Sequence, residues 1–146
     1  MIFSSPFLFI KINYITFGHN IQLILFKYME NLTTETFKVK IFNFEKNKDW
    51  KFEGTKPTII DFYADWCSPC KMVTPILEEL SQEFPDVDFY KVDIDSEIEI
   101  SSAFQIRSIP ALLFIPLTGT PAMGVGAVPK NALIEAIRNT FDIQHE

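Results

Sequence analysis

The chain has 146 residues, 47% of them hydrophobic and 22% charged, the balance of an ordinary globular protein and not of a disordered one. That length makes one domain with a little left over and buries a core without disulfide staples. A net charge of −6 argues against nucleic acid as a main partner, and two cysteines lying three positions apart exclude a secreted disulfide scaffold.

Residues 1–28 differ from the rest. They hold five of the fifteen phenylalanines, two lysines (Lys11, Lys27) and no acid. Removing those two from the 13 basic residues leaves 11 against 19 acids from Met29 onward, a balance of −8. Three readings compete for this apolar N-terminal extension. A membrane anchor needs about 20 mostly apolar residues, but Lys11, Asn13, Gly18, His19, Asn20 and Gln22 interrupt the stretch. An export signal needs a basic start and a small-residue cleavage site, and neither is in place. The third reading is a start assigned upstream of the true one, with Met29 opening the domain that runs over 29–146.

From Met29 the elements follow in order. Thr36–Phe42 alternates polar and apolar, which predicts a half-buried strand near a sheet edge. Residues 44–52 read as a short helix or loop, punctuated by Gly54 and Pro57. Thr58–Ala64 is almost continuously apolar, as a strand covered on both faces should be. From Cys67 to about Glu83, Met72, Val73, Ile76, Leu77, Leu80 and Phe84 fall at helical spacing, with Pro75 inside the helix and Pro85 after it. Val87–Ile94 predicts the next strand, parallel to the first through a right-handed crossover. Ser96 with Glu99 offers a capping box for a helix through Phe104. Ala111–Ile115 predicts a buried strand, and residues 122–126 return as its antiparallel neighbour after a turn at Gly119. Leu133, Ile134, Ile137 and Phe141 line one face of a last helix. Together these predict an α/β domain with a mixed sheet and helices on both faces.

The chemistry centres on Cys67 and Cys70. At i and i+3 where a helix begins, they lie about one turn apart, close enough to bridge. Cys67 faces the unpaired amides and positive end of the helix, which favours its thiolate; Cys70, one turn in, is more shielded. Pro69 stiffens the loop between them. A purely structural disulfide this short restrains the unfolded chain only slightly. Structural zinc needs four ligands, and beyond the two cysteines only His19 and His145 remain, near the chain ends, so no metal site is expected. A C-x-x-C in a strand–helix–strand setting is a redox signal.

Asp61-Phe62-Tyr63-Ala64-Asp65-Trp66-Cys67-Ser68-Pro69-Cys70-Lys71-Met72 closely resembles the active-site segment of thioredoxins. The likeness continues through Pro75-Ile76-Leu77, Lys91-Val92-Asp93, Ile106-Arg107-Ser108-Ile109-Pro110 and Val125-Gly126-Ala127, in the family's order, over roughly residues 33–142. The resemblance implies a thioredoxin fold and thiol–disulfide exchange. It implies Cys67 as nucleophile, Cys70 as resolving thiol, Asp61 as the buried acid beneath them, Lys91 as its neighbour and Pro110 as a cis-proline facing the site. Trp66, Ile109 and Gly126 then line the groove for a substrate chain. Ser68 where the family has glycine bears on the redox potential. Tyr63 stands for a tryptophan, Ala111 for a threonine, and the loop before Gly126 is longer by about one residue.

Several readings stay open on the residues alone. Asp61 is either a buried acid with a raised pKa that takes the proton from Cys70, or an acid turned outward at a strand end. Lys91 is a surface lysine or a group tuning Asp61. Pro110 is allowed trans by sequence, and cis only through the resemblance. Trp66 is an aromatic contact surface or plain core.

The expected function is reduction of disulfides in client proteins by a Cys67/Cys70 cycle in a cytoplasmic monomer. No flavin or nicotinamide fingerprint appears, so no cofactor is expected to be bound and the electrons come from an external thioredoxin reductase. The alternatives are an exported or membrane-tethered reductase of envelope proteins, favoured by residues 1–28 alone, and a non-catalytic thioredoxin-like binding module.

Overall fold

The computed structural model describes residues 12–17, 20–25 and 28–144. Much of what was expected of residues 1–28 as a leader or anchor, together with His19 and His145, therefore lies outside the described residues. Two strands that the sequence reading did not anticipate, β1 (Ile12–Phe17) and β2 (Asn20–Leu25), pair antiparallel in a sheet of their own. The remaining elements are β3 (Glu30–Asn31), α1 (Thr34–Lys40), β4 (Thr58–Tyr63), α2 (Ser68–Glu83), β5 (Asp88–Asp93), α3 (Ile98–Ala103), β6 (Ala111–Ile115), β7 (Ala122–Val125) and α4 (Lys130–Phe141).

The five-stranded sheet runs β3-β5-β4-β6-β7. β4 lies at its centre, parallel to β5 and antiparallel to β6, and β7 returns antiparallel along β6. Because successive side chains on a strand point to opposite faces, neighbouring residues of the central strands feed two different cores. Ile59, Phe89, Leu112 and Phe114 pack with Val73, Leu77 and Leu80 of α2 and Leu133 and Ile137 of α4. Ile60, Phe62, Val92, Leu113 and Ile115 pack on the other face with Phe37 of α1 and Ile100 of α3. This second core is extended by aromatic rings. Trp50, half-buried, lies 4.8 Å from the Phe42 ring and 6.2 Å from that of Phe104. The mixed sheet with helices on both faces is the predicted fold class.

Three local expectations are corrected. Thr36–Phe42 is not an edge strand: residues 34–40 form α1, and the edge is the short β3, paired with Tyr90 and Lys91. Thr33 and Thr36 form a reciprocal capping box that starts the helix, with Thr33 N donating to Thr36 Oγ1 at 2.8 Å and Thr36 N to Thr33 Oγ1 at 3.2 Å. Phe37 and Ile41, one helical turn apart, are buried, while Val39 is 75% exposed, which is helical periodicity and not alternation. Lys38 is covered along α1, and its ammonium pairs with Glu45 at 2.6 Å and Glu35 at 3.4 Å. Met72, placed on the apolar stripe of α2 by its spacing, is 69% exposed. The stripe that packs is Val73, Leu77 and Leu80, and Met72 is rotated about 100° away from Val73.

The third correction concerns the Ser96–Glu99 capping box, which does not form. Glu97 is the N-cap of α3 without a side-chain cap bond, and Ser96 Oγ donates to Asp93 Oδ2 at 3.3 Å. Glu97 turns its carboxylate across to α1, where Oε2 accepts from Thr34 N at 2.7 Å and Thr34 Oγ1 at 2.8 Å. A carboxylate on the free amides of a helix start is stabilising. Glu97→Ala is therefore expected to lower the unfolding free energy by about 1–2 kcal/mol. Denaturant titration reads this, and an unchanged midpoint would remove Glu97 from the account of why α1 forms.

Candidate active site

At the end of β4 the chain turns through Ala64, Asp65 and Trp66 into Cys67, the N-cap of α2. Cys67 N donates to the Ala64 carbonyl at 3.1 Å, closing that turn. Pro69 occupies the first turn of α2, where a helix has amides without partners and a missing donor costs nothing. Cys67 Sγ accepts from Cys70 N at 3.2 Å, so the first sulfur sits on the helix start, as the spacing predicts. The two cysteines are joined as a disulfide with Cα atoms 5.3 Å apart, which makes this the oxidised form. Both residues are largely covered, Cys67 slightly less than Cys70. Ala64, Tyr63, Ile94 and Ile109 pack around them.

Beneath α2, Asp61 occupies the middle of β4 and is fully buried, so the outward-turned alternative falls. Its Oδ2 accepts from the Thr74 hydroxyl at 2.7 Å, and its Oδ1 is buried with no hydrogen-bond partner among the described residues. Burial pushes the Asp61 carboxyl up to about 6, against the opposing pull of the Thr74 hydroxyl and the Lys91 charge. Lys91 is in register with Asp61 across the β4–β5 pair. Its ammonium lies 5.3 Å from the centre of the Tyr63 ring, and that ring's hydroxyl donates to Asn31 Oδ1 at 2.9 Å. A cavity of about 250 Å³ opens beside this group, lined by Tyr63, Asp65, Cys70, Lys71, Thr74 and Pro75 among others.

On the other flank the Ile109–Pro110 bond is cis, as the resemblance implied and the sequence alone did not require. Pro110 is buried at the entry to β6, and its carbonyl accepts from Gly126 N at 2.8 Å. Gly126 has φ +98°, backbone that side chains with a Cβ rarely adopt. Trp66 is not core: it is 68% exposed, with its indole N–H held by Asp95 Oδ2 at 2.8 Å. Met72 and Val125 are also exposed apolar side chains, one on α2 and one on β7 next to Gly126.

The fold thus brings Cys67, Cys70, Ile109, Pro110, Gly126 and Trp66 to one end of the sheet, with Asp61 and Lys91 below. Two contributors escaped the sequence reading. Asp95 carries no motif that links it to Trp66, 29 residues earlier. Thr74 did leave a signal, being a polar residue one helical turn after Cys70.

The thioredoxin family model matches residues 29–139. Thioredoxin of Borreliella burgdorferi is 48% identical over 112 residues, covering 76% of this chain and 96% of that protein. Thioredoxin of Mycoplasmoides gallisepticum is 45% identical over 90 residues, covering 62% and 90% respectively. Among solved structures, oxidised mitochondrial thioredoxin 3 from Saccharomyces cerevisiae superposes with a TM-score of 0.59 at 31% identity, over 76% of this chain and 94% of that one.

Proposed function

This chain belongs to the thioredoxin family and is a thiol–disulfide oxidoreductase that reduces protein disulfides, and from that premise we propose how its residues divide the work. Cys67 thiolate attacks one sulfur of a client disulfide, forming a mixed disulfide and expelling the other client sulfur as thiolate. Asp61 takes the proton from Cys70. Cys70 thiolate then attacks Cys67 Sγ, expelling the second client thiolate and leaving the Cys67–Cys70 disulfide. Two electrons pass from the dithiol to the client in each cycle.

The observation that carries this assignment is the covered cysteine pair at the start of α2 above a fully buried acid whose carboxyl is raised to about 6. An acid tuned near neutrality is suited to receiving and returning a proton in each turn. Lys91 tunes that acid, and Trp66, Ile109, Pro110 and Gly126 form the surface against which an extended client segment lies. The exposed indole beside the nucleophile supports the last point.

The oxidised product must be reduced again, and we propose a thioredoxin reductase as the electron donor, with no cofactor held by this chain. The compartment we propose is the cytoplasm, where dithiols are kept reduced, and the working form is a monomer. No helix among the described residues is long and apolar enough to cross a membrane. The binding-module alternative is not favoured, since both cysteines of the redox pair are present and joined as a disulfide.

The test is insulin reduction coupled to NADPH oxidation through a thioredoxin reductase, with the redox potential measured against glutathione. A reductant of this kind is expected near about −270 mV, whereas a value near about −120 mV belongs to an oxidant and would overturn the reading.

A further inference from the structure

We propose that Thr74 is a positioning residue for the resolving step: its hydroxyl holds Asp61 Oδ2, so that Oδ1 is the oxygen left to take the proton from Cys70. This rests on Asp61 acting as the proton acceptor, as proposed above.

The geometry is specific to three atoms. A hydroxyl has one proton to give, and Thr74 commits it to Oδ2 at 2.7 Å. A threonine inside a helix can turn that proton back on the carbonyl four residues earlier or out to solvent. Here it crosses from α2 to β4. Cys70 and Thr74 are one helical turn apart, so both project from the same side of α2 toward the strand that carries Asp61. Oδ1 is the carboxylate oxygen that is buried without a hydrogen-bond partner among the described residues. A buried acceptor left open costs free energy, and a proton delivered from a thiol offsets that cost.

Thr74 also sets how strongly Asp61 holds its proton. A donor on the carboxylate favours the charged form, so Thr74 opposes the effect of burial, together with Lys91 on β5; Glu78 on α2 acts in the opposite sense, and Leu112 on β6 is apolar. Without the hydroxyl, Asp61 would stay protonated to higher pH, and a smaller fraction of it would be free to receive a proton at neutrality. Thr74 additionally lines the cavity beside Cys70, so this side chain stands between the buried carboxyl and open space.

The test uses the full chain and the variants Thr74→Val, which keeps the shape, Thr74→Ala, which removes the hydroxyl without steric demand, and Thr74→Ser, which restores it. Asp61 is titrated by carbon NMR of its carboxyl in the oxidised protein, where neither cysteine titrates. Resolution of a preformed mixed disulfide is then followed across pH. The midpoint is expected to rise by roughly one pH unit in Thr74→Val and Thr74→Ala. The pH profile of resolution should move with it, and Thr74→Ser should restore both. An unmoved midpoint, a moved midpoint with an unmoved profile, or failure of serine to rescue each overturns the proposal. Asp61→Asn separates the two levels: if it resolves the mixed disulfide as fast as the parent protein, it is the proton-acceptor reading of Asp61 that fails.

Discussion

Cys67→Ser is expected to lower turnover of a disulfide client by at least about 10³-fold, the scale on which loss of a nucleophile registers. A serine hydroxyl does not ionise near neutrality, so the favourable field at the start of α2 has no anion to stabilise. The remaining thiol, Cys70, lies one turn into α2 and is the more covered of the two. Cys70→Ser should behave differently. The first attack proceeds, but nothing displaces the captured client, so a mixed disulfide through Cys67 accumulates in proportion to protein and disappears on adding dithiothreitol. Peptide mapping of that adduct checks the assignment. An adduct through Cys70 in the Cys67→Ser protein would reverse the two roles.

Asp61→Asn should trade activity for stability. Burial raises the carboxyl from its ordinary 3.8 to about 6, so the folded protein binds this proton more tightly than the unfolded chain does. Stability contributed by the proton is complete below about pH 4, declines between about pH 4 and 6, and is lost above that. A difference of about two units corresponds to about 3 kcal/mol, an upper bound on what Asn recovers at neutral pH, because its amide must still be seated beside Oδ1's empty surroundings. The variant should therefore gain up to that amount in urea unfolding at pH 8 and nothing at pH 4. In single-turnover kinetics it should release the client more slowly while the first attack is unchanged. A gain that persists at pH 4 would show that the effect is not the charge.

Much of this site was legible because it is local. Asp61 through Met72 is one unbroken stretch, and the strand–turn–helix it forms follows from an apolar run, a proline in the first turn and a stripe of Val73, Leu77 and Leu80. The buried strand at Ala111–Ile115 was equally plain, being apolar throughout. The cis bond before Pro110 was legible only through likeness to a family, since an X-Pro dipeptide is permissive by itself. What escaped is tertiary. Thr36–Phe42 alternates well enough to pass for a strand, and only the Thr33–Thr36 caps and the reach of Glu97 from α3 decide for a helix. Thr74 meets Asp61 across 13 residues and Trp66 meets Asp95 across 29; the first left a polar residue one turn after Cys70 as its trace, the second none.

The placement of the two tryptophans makes the molecule report on itself. Trp66 sits in solvent beside the sulfurs, tied to Asp95, while Trp50 packs against Phe42 and Phe104 in the core under α1 and α3. Their fluorescence consequently answers two separate questions. A Trp50→Phe protein emits only from the redox end and follows oxidation and client capture; a Trp66→Phe protein emits only from the aromatic layer and follows unfolding, leaving the two processes separable in a single optical assay.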